Sequence, residues 1–282
     1  MIKLYASDLD GTLLNEAHDT DDIIISCIED IIQKGKHFAV STGRNLQGVM
    51  RNKELCDLPV YIIANNGALI LDADFQVIYE KYISEAALLK LMELGSAGNP
   101  EFISRDHVYM LCNKEEHKAN FLAKSKRRGM MKFLGDPMER WKEMTNNYVY
   151  EADAQMILHA GILKVNCHGV ATSDRKTIDT CIASLADEIV NAPFQSDVYE
   201  LTHKDVNKGF GVEQLMQKLN IAREEVAVFG DGGNDVEMLK RFPHSYAMEN
   251  GVMDAKAAAR YQIGHNEDYA VIKKIRELLE IQ

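Results

Sequence analysis

No run of about 18 apolar residues, the length a helix needs to cross a bilayer, occurs in this 282-residue chain. The first residues also lack the basic, apolar and small-residue succession of a secretory leader. A soluble, cytoplasmic protein without a membrane partner is therefore expected. Cysteine is sparse: Cys27, Cys56, Cys112, Cys167 and Cys181 are odd in number, scattered, and form no Cys-x-x-Cys pair. That argues against a disulfide framework and gives no zinc signature; the thiols read as mostly buried. Tryptophan occurs once, at Trp141, and reads as packing. Positive charge is in deficit, with 32 Lys and Arg against 43 Asp and Glu and a net charge of −11. A chain so acidic lacks the basic surface that replaces phosphate counterions, which argues against a nucleic-acid partner.

What is present is an ordinary globular composition, 46% hydrophobic, in a chain long for a single core. One large or two smaller domains are expected. The chain opens on an apolar run, Ile2-Lys3-Leu4-Tyr5-Ala6, that suits a short buried strand, and then reads Asp8-Leu9-Asp10-Gly11-Thr12. Gly11 signals a turn, so two carboxylates crowd together where a strand runs out. Such crowding costs energy unless a cation or proton compensates. Oxygen ligands of this kind suit Mg²⁺. Taken alone, the stretch reads rather as an ordinary acidic loop, and partners elsewhere must decide.

Thr20 is placed to cap a helix with Asp21 and Asp22 in its first turn, and Ile24, Ile28, Ile31 and Ile32 fall on one face before Gly35. A second strand, His37 to Val40, runs into Ser41-Thr42-Gly43-Arg44. A third, Val60 to Ala64, ends at Asn65-Asn66-Gly67. Strand, helix, strand, helix, strand is the pattern of a parallel sheet with crossover helices. In such sheets ligands gather beyond the carboxyl ends of the strands, where all three runs place small polar residues and glycine.

From Leu69 the rhythm changes. Leu69 to Leu71 and Val77 to Tyr79 flank Asp72-Ala73-Asp74 as in a hairpin. Helical runs (Ala86 to Leu94, Glu115 to Lys126) then mix with strand-like pieces (Val108 to Leu111, Ile162 to Asn166), as in a separate mixed α/β unit. Its basic cluster, Lys124, Lys126, Arg127 and Arg128, reads as a solvated helix end. After Tyr199-Glu200-Leu201 the first pattern resumes. Lys208-Gly209 opens a helix through Leu219, and Glu225 to Phe229 is a strand ending in Gly230-Asp231-Gly232-Gly233-Asn234-Asp235. Val236 starts another helix, Ser245 to Met248 forms a short strand, and Tyr269 to Leu279 closes the chain as a helix.

Four elements thus converge in order: Asp8-x-Asp10, Thr42, Lys208, and Asp231 with Asn234 and Asp235. Their sequence resembles the haloacid dehalogenase-like (HAD) phosphohydrolases. The phrases Gly-Asp-Gly-Gly-Asn-Asp, Ser-Thr-Gly-Arg and Asn-Asn-Gly-Ala resemble the Cof-type sugar-phosphate phosphatase branch in particular. The resemblance implies an α/β fold: a Rossmann-like parallel-sheet core from residues 1–84 and 190–282, with an inserted mixed α/β cap over 85–189 that sets substrate specificity.

It also implies roles. Asp8 is the expected nucleophile, since a carboxylate forms a phosphoenzyme that divides one hard hydrolysis into two steps. Asp10 is the expected general acid and base. Mg²⁺ is held by Asp8, Asp231 and the backbone carbonyl of Asp10. Thr42 and Gly43 meet the phosphoryl group, Lys208 supplies fixed positive charge, Asn234 adds an amide, and Asp235 supports from behind. Lys204 is a rival for Lys208, but the motif sets lysine directly before glycine. Arg44 and Asn66 read either as substrate-binding groups or as structural turn residues. Two stretches depart from the family pattern: Met248-Glu249-Asn250-Gly251 replaces Met-Gly-Asn-Ala, and Tyr269 follows Asn266-Glu267-Asp268 in place of glycine.

The expected activity is Mg²⁺-dependent hydrolysis of small phosphorylated metabolites, such as sugar phosphates, flavin mononucleotide or pyridoxal phosphate, by a monomer or homodimer. The alternatives are a phosphomutase of the same superfamily and a non-catalytic phospho-acceptor protein. Mutase relatives carry a cap between the first two motifs, where this chain has only a helix; receivers lack a counterpart of Asp10.

Overall fold

A computed structural model describes residues 1–15, 17–127, 136–168, 172–193 and 198–280. The chain divides into two compact units, one of Met1–Lys81, Ala192–Ser196 and Asp205–Gln282, the other of Tyr82–Asn191 and Asp197–Lys204.

In chain order the strands are β1 Leu4–Ser7, β2 His37–Ser41, β3 Tyr61–Ala64, β4 Leu69–Leu71 and β5 Val77–Glu80, then β6 Glu101–Ile103, β7 Val108–Met110, β8 Tyr148–Val149, β9 Lys164–Cys167, β10 Ile189–Asn191 and β11 Tyr199–His203, and finally β12 Val226–Gly230, β13 His244–Met248 and β14 Tyr261–Ile263. The first unit holds an eight-stranded sheet ordered β14-β13-β12-β1-β2-β3-β4-β5. It is parallel from β14 to β3, and the hairpin strands β4 and β5 run antiparallel at one edge.

β1 is central, with Ser7 registered against Phe229 on one side and Val40 on the other. All four of its residues and all five of β12 are buried, so these strands read as continuous apolar runs with no alternation. The register brings the carboxyl ends of β1, β2 and β12 level. The Asp8 amide extends the ladder by donating to the Phe229 carbonyl, and the Thr42 amide to that of Ile63. Helices Asp22–Gln33, Lys208–Lys218, Val236–Arg241 and Ala270–Glu280 belong to this unit. One core packs Leu4, Ala6, Ala39 and Val228 of the sheet against Val212, Leu215, Met238 and Leu239 of the helices.

The second unit is a six-stranded sheet ordered β10-β11-β9-β6-β7-β8, antiparallel except for β7 with β8. Phe102, Val165 and Leu201 point into its main core with Leu88 and Leu91 of helix Glu85–Met92 and Ile178 of helix Thr172–Ala183. Neighbours one residue along, Lys164 and Thr202, are buried on the opposite face, as the period of two requires.

Several expectations need correction. β10 and β11 pair within the second sheet, so residues 190–191 and Asp197–Lys204 belong to the second unit, while Ala192–Ser196 and the chain from Asp205 belong to the first. Helix Asp22–Gln33 is capped by Asp21, whose carboxylate accepts from the amides of Ile23 and Ile24; Thr20 lies one residue outside. Only Cys27 and Cys167 of the five free thiols are buried; Cys56, Cys112 and Cys181 are partly buried, with Cys112 and Cys181 packed against the edges of the second unit's cores. Trp141 is buried, as packing requires. Lys124, Lys126 and Arg127 fall in helix Lys114–Arg127, and Arg128 lies outside the described residues. Among the described residues, no helix is long and apolar enough to cross a membrane.

Candidate active site

The site begins where β1 ends. Past Asp8 the chain turns through Leu9–Leu13, with Gly11 at φ 76° and the Leu14 amide closing back on the Leu9 carbonyl. Only glycine fits there: a Cβ on Gly11 would stand 2.5 Å from Oδ2 of Asp231, and its φ lies in the left-handed region. The turn and the end of β12 are therefore packed backbone to carboxylate.

Lys208 ties the elements together. It starts helix Lys208–Lys218, which Asn207 caps by accepting from the Phe210 amide. Its Nζ is fully buried, 2.8 Å from Oδ1 of Asp8 and 2.7 Å from Oδ1 of Asp235. Oδ2 of Asp235 accepts from the amides of Asp231 and Gly232 at 3.0 and 2.8 Å, fixing the loop after β12. Oδ1 of Asp231 accepts from the Thr12 hydroxyl at 2.8 Å. Lys204 belongs instead to the second unit, where its amide donates to the Glu188 carbonyl.

Three buried carboxylates, Asp8, Asp231 and Asp235, thus face the single cation Lys208, and each offers an oxygen within 4.8 Å of the others. Burial pushes Asp8 well above the usual carboxylate range, against the pull of Lys208. Burial, then Asp235, raises Asp231 to about 6. Burial works against the charge on Lys208, but Asp235 and Asp8 more than offset it and hold the ammonium protonated. The surplus of negative charge and an all-oxygen donor set fit a hard divalent cation. Asp235 already spends both oxygens on Lys208 and backbone amides, so Asp8 and Asp231 are the carboxylates with capacity for an ion.

Asp10 is held differently. Nε and Nη2 of Arg44 grip its two oxygens at 2.6 and 2.5 Å, and Nδ1 of His18 lies 2.8 Å from Oδ1. Burial disfavours its charge, yet the hydrogen bonds from His18 and Arg44 prevail and hold the carboxyl well below its ordinary range. Thr42 is buried beyond β2, its hydroxyl accepting from the Arg44 amide and its carbonyl from the Asn66 amide. Gly43 lies between Thr42 and Arg44, while Asn65 and Asn66 follow β3 with φ of 51° and 55°. Oδ1 of Asn66 accepts from Nδ2 of Asn234 at 3.1 Å, leaving Oδ1 of Asn234 buried and without a partner.

The predicted residues are therefore brought together at the ends of β1, β2, β3 and β12 and the start of helix Lys208–Lys218. Thr12, His18 and Asn250 were not predicted. Thr12 stood in the opening motif, and its hydroxyl beside the turn was the available signal. His18 belongs to a loop without periodicity and gave none. Asn250, in a stretch that departs from the family pattern, donates to the Gly11 carbonyl at 2.7 Å.

The profile of the haloacid dehalogenase-like hydrolases matches residues 5–275. A Bacillus subtilis protein named "Putative phosphatase YxeH" is 29% identical, with 99% of each chain covered. A similarly named Streptococcus pyogenes protein is 28% identical, with 98% of each covered. Among solved structures, a haloacid dehalogenase-like hydrolase from B. subtilis superposes with a TM-score of 0.81 at 23% identity, over 98% of this chain and 100% of that one. The subclass IIB sugar phosphatase BT4131 gives a TM-score of 0.75 at 21% identity, over 98% of both chains. The chain belongs to the haloacid dehalogenase-like hydrolases, in their Cof-type branch.

Proposed function

We propose that the protein is a Mg²⁺-dependent phosphatase that hydrolyses phosphomonoesters of small metabolites, sugar phosphates foremost, through an aspartyl-phosphate. The observation that carries this reading is the buried group Asp8, Asp231 and Lys208 beside Asp10, at the carboxyl ends of parallel strands. The names of the relatives and of BT4131 support it.

Asp8, Asp231 and the Asp10 carbonyl would hold Mg²⁺, which supplies positive charge against the phosphoryl oxygens. A carboxylate oxygen of Asp8 attacks phosphorus as the ester P–O bond breaks; the electron pair leaves with the ester oxygen, which takes a proton from Asp10. Asp10 then removes a proton from water as the water oxygen attacks the phosphoaspartate. The Asp8–phosphorus bond breaks, releasing phosphate and restoring Asp8. Asp10 as found, ionised under Arg44 and His18, is in the form the second step uses; the proton it takes from water in that step is the one it gives to the ester oxygen in the next turnover. Lys208 pulls Asp8 toward its anionic form against burial, as the metal charge would also do, while Thr42, Gly43 and Asn234 hold the phosphoryl group. The inserted unit carries the choice of leaving group.

Asp8→Asn is expected to lower turnover of 4-nitrophenyl phosphate by at least about 10³-fold, the scale on which loss of a nucleophile acts. Wild-type turnover in that variant, or full activity in chelator, would overturn the assignment. A screen of phosphorylated metabolites with Mg²⁺, scored by phosphate release, identifies the substrate class.

A further inference from the structure

Arg44 spends its hydrogen-bonding capacity on protein groups. Nε and Nη2 fork Asp10, and Nη1 donates to the Gly48 carbonyl at 3.3 Å and to Oδ1 of Asn52 at 3.1 Å. Four of the five guanidinium N–H groups are thereby directed within the protein.

Asn52 supplies an independent observation. It occupies the N-cap position of the short helix Lys53–Cys56, where an asparagine ordinarily accepts from a backbone amide, yet its side chain makes no cap bond. Its Oδ1 takes the Arg44 donor and its Nδ2 donates to Oδ1 of Asp19 at 3.0 Å, while the residue is 2% exposed. Asp19 lies beside His18, the other group on Asp10. A hydrogen-bonded chain Asp10–Arg44–Asn52–Asp19, buried at Asn52 and reaching the surface at Asp19, therefore starts at the proton carrier and returns to its own loop.

From this we infer that Arg44 and Asn52 are positioning residues for the reaction: Arg44 aims the Asp10 carboxylate, and Asn52 aims Arg44. The inference rests on the phosphatase reading and assigns Arg44 a role other than gripping the phosphoryl group. Misplacement of a reacting group by about 1 Å costs about 10²-fold in rate, so the effect belongs in kcat and not in binding.

The test is a double-mutant cycle on 4-nitrophenyl phosphate with Mg²⁺, alongside inhibition by inorganic phosphate. Arg44→Ala is expected to lower kcat about 100-fold and Asn52→Ala about 10-fold, leaving KM and the phosphate inhibition constant within about twofold. In an Asp10→Asn background, where nothing remains to be aimed, adding Arg44→Ala changes kcat by less than about twofold. Arg44→Lys, which keeps the cation without the fork, and Asn52→Ala provide the same cycle should Arg44→Ala fail to fold. Effects that multiply with Asp10→Asn, or a KM and phosphate inhibition constant that rise while kcat holds, would overturn the inference and make Arg44 a phosphoryl ligand. A wild-type chain with no Mg²⁺-dependent turnover of any phosphomonoester removes the phosphatase reading and this inference together.

Discussion

Asp231 carries a cost that a metal ion would remove. Its carboxyl titrates at about 6 in the fold, against 3.8 as the ordinary value, because it is buried and faces Asp235. The folded metal-free protein thus binds more protons than the unfolded chain between those two values, and its stability falls as pH rises through that window. The single shift corresponds to about 3 kcal/mol. Asp8, raised by burial, adds in the same direction. Asp10 has the opposite sign: its depressed value gives stability present above about pH 4 and lost only at lower pH, outside the window. Thermal unfolding in chelator is expected to show a midpoint that drops from pH 4.5 to 7, with added Mg²⁺ reversing the drop. A midpoint that rises over that range in chelator would contradict the charge reading. Gly11→Ala probes the same contact by volume, since its Cβ would meet Oδ2 of Asp231. It is expected to cost about 2 kcal/mol or more and to weaken Mg²⁺ binding measured by calorimetry. At this scale the sequence made Asp8, Asp231 and Lys208 legible, because motif residues sit at strand and helix ends. His18 and Asn52 were not, because hydrogen bonds between a loop and a short helix leave no periodicity.

Among the elements, parallel strands buried on both faces were readable as apolar runs, and β1, β2, β3 and β12 were placed to within a residue or two. The second sheet was less legible. β6, β7 and β10 have only three residues each, and β11 follows the sequence boundary while pairing with β9 and β10. Nothing local distinguishes Tyr199-Glu200-Leu201 from a strand of the first sheet. The start of helix Asp22–Gln33 shows the same limit more finely: Thr20 and Asp21 are both able to cap, and only the geometry selects Asp21. That aspartate has a second duty. Its Oδ2 accepts from the Tyr269 hydroxyl at 2.7 Å, and Tyr269 holds φ 54°, the left-handed conformation that the family's usual glycine adopts freely. The tyrosine thus exchanges backbone ease for a tie between the start of one helix and the residue before another. Asp21→Ala is expected to cost about 1 to 2 kcal/mol in denaturant unfolding, as the loss of an N-cap does. Tyr269→Phe should lower the midpoint by less, because it loses the hydroxyl bond and keeps the cap.

At the scale of the whole chain, two cores are formed from different residues: one around Leu4, Val212 and Val228, the other around Phe102, Val165 and Leu201. Every group argued to hold Mg²⁺ belongs to the first unit, and the only tryptophan, Trp141, is buried in the second. This division gives each unit its own spectroscopic signal. Tryptophan fluorescence follows the second unit alone, whereas far-ultraviolet circular dichroism follows helices and strands in both. A ligand that binds only the native state stabilises by RT ln(1 + [L]/Kd), about 2.7 kcal/mol at a hundredfold excess over Kd. With units that unfold separately, Mg²⁺ should move only the dichroism component belonging to the first unit and leave the Trp141 midpoint unchanged. A Trp141 transition that shifts with Mg²⁺ by the same amount as the dichroism would instead show one cooperative body. Stability gained at the aspartates would then extend to the unit assigned the choice of leaving group.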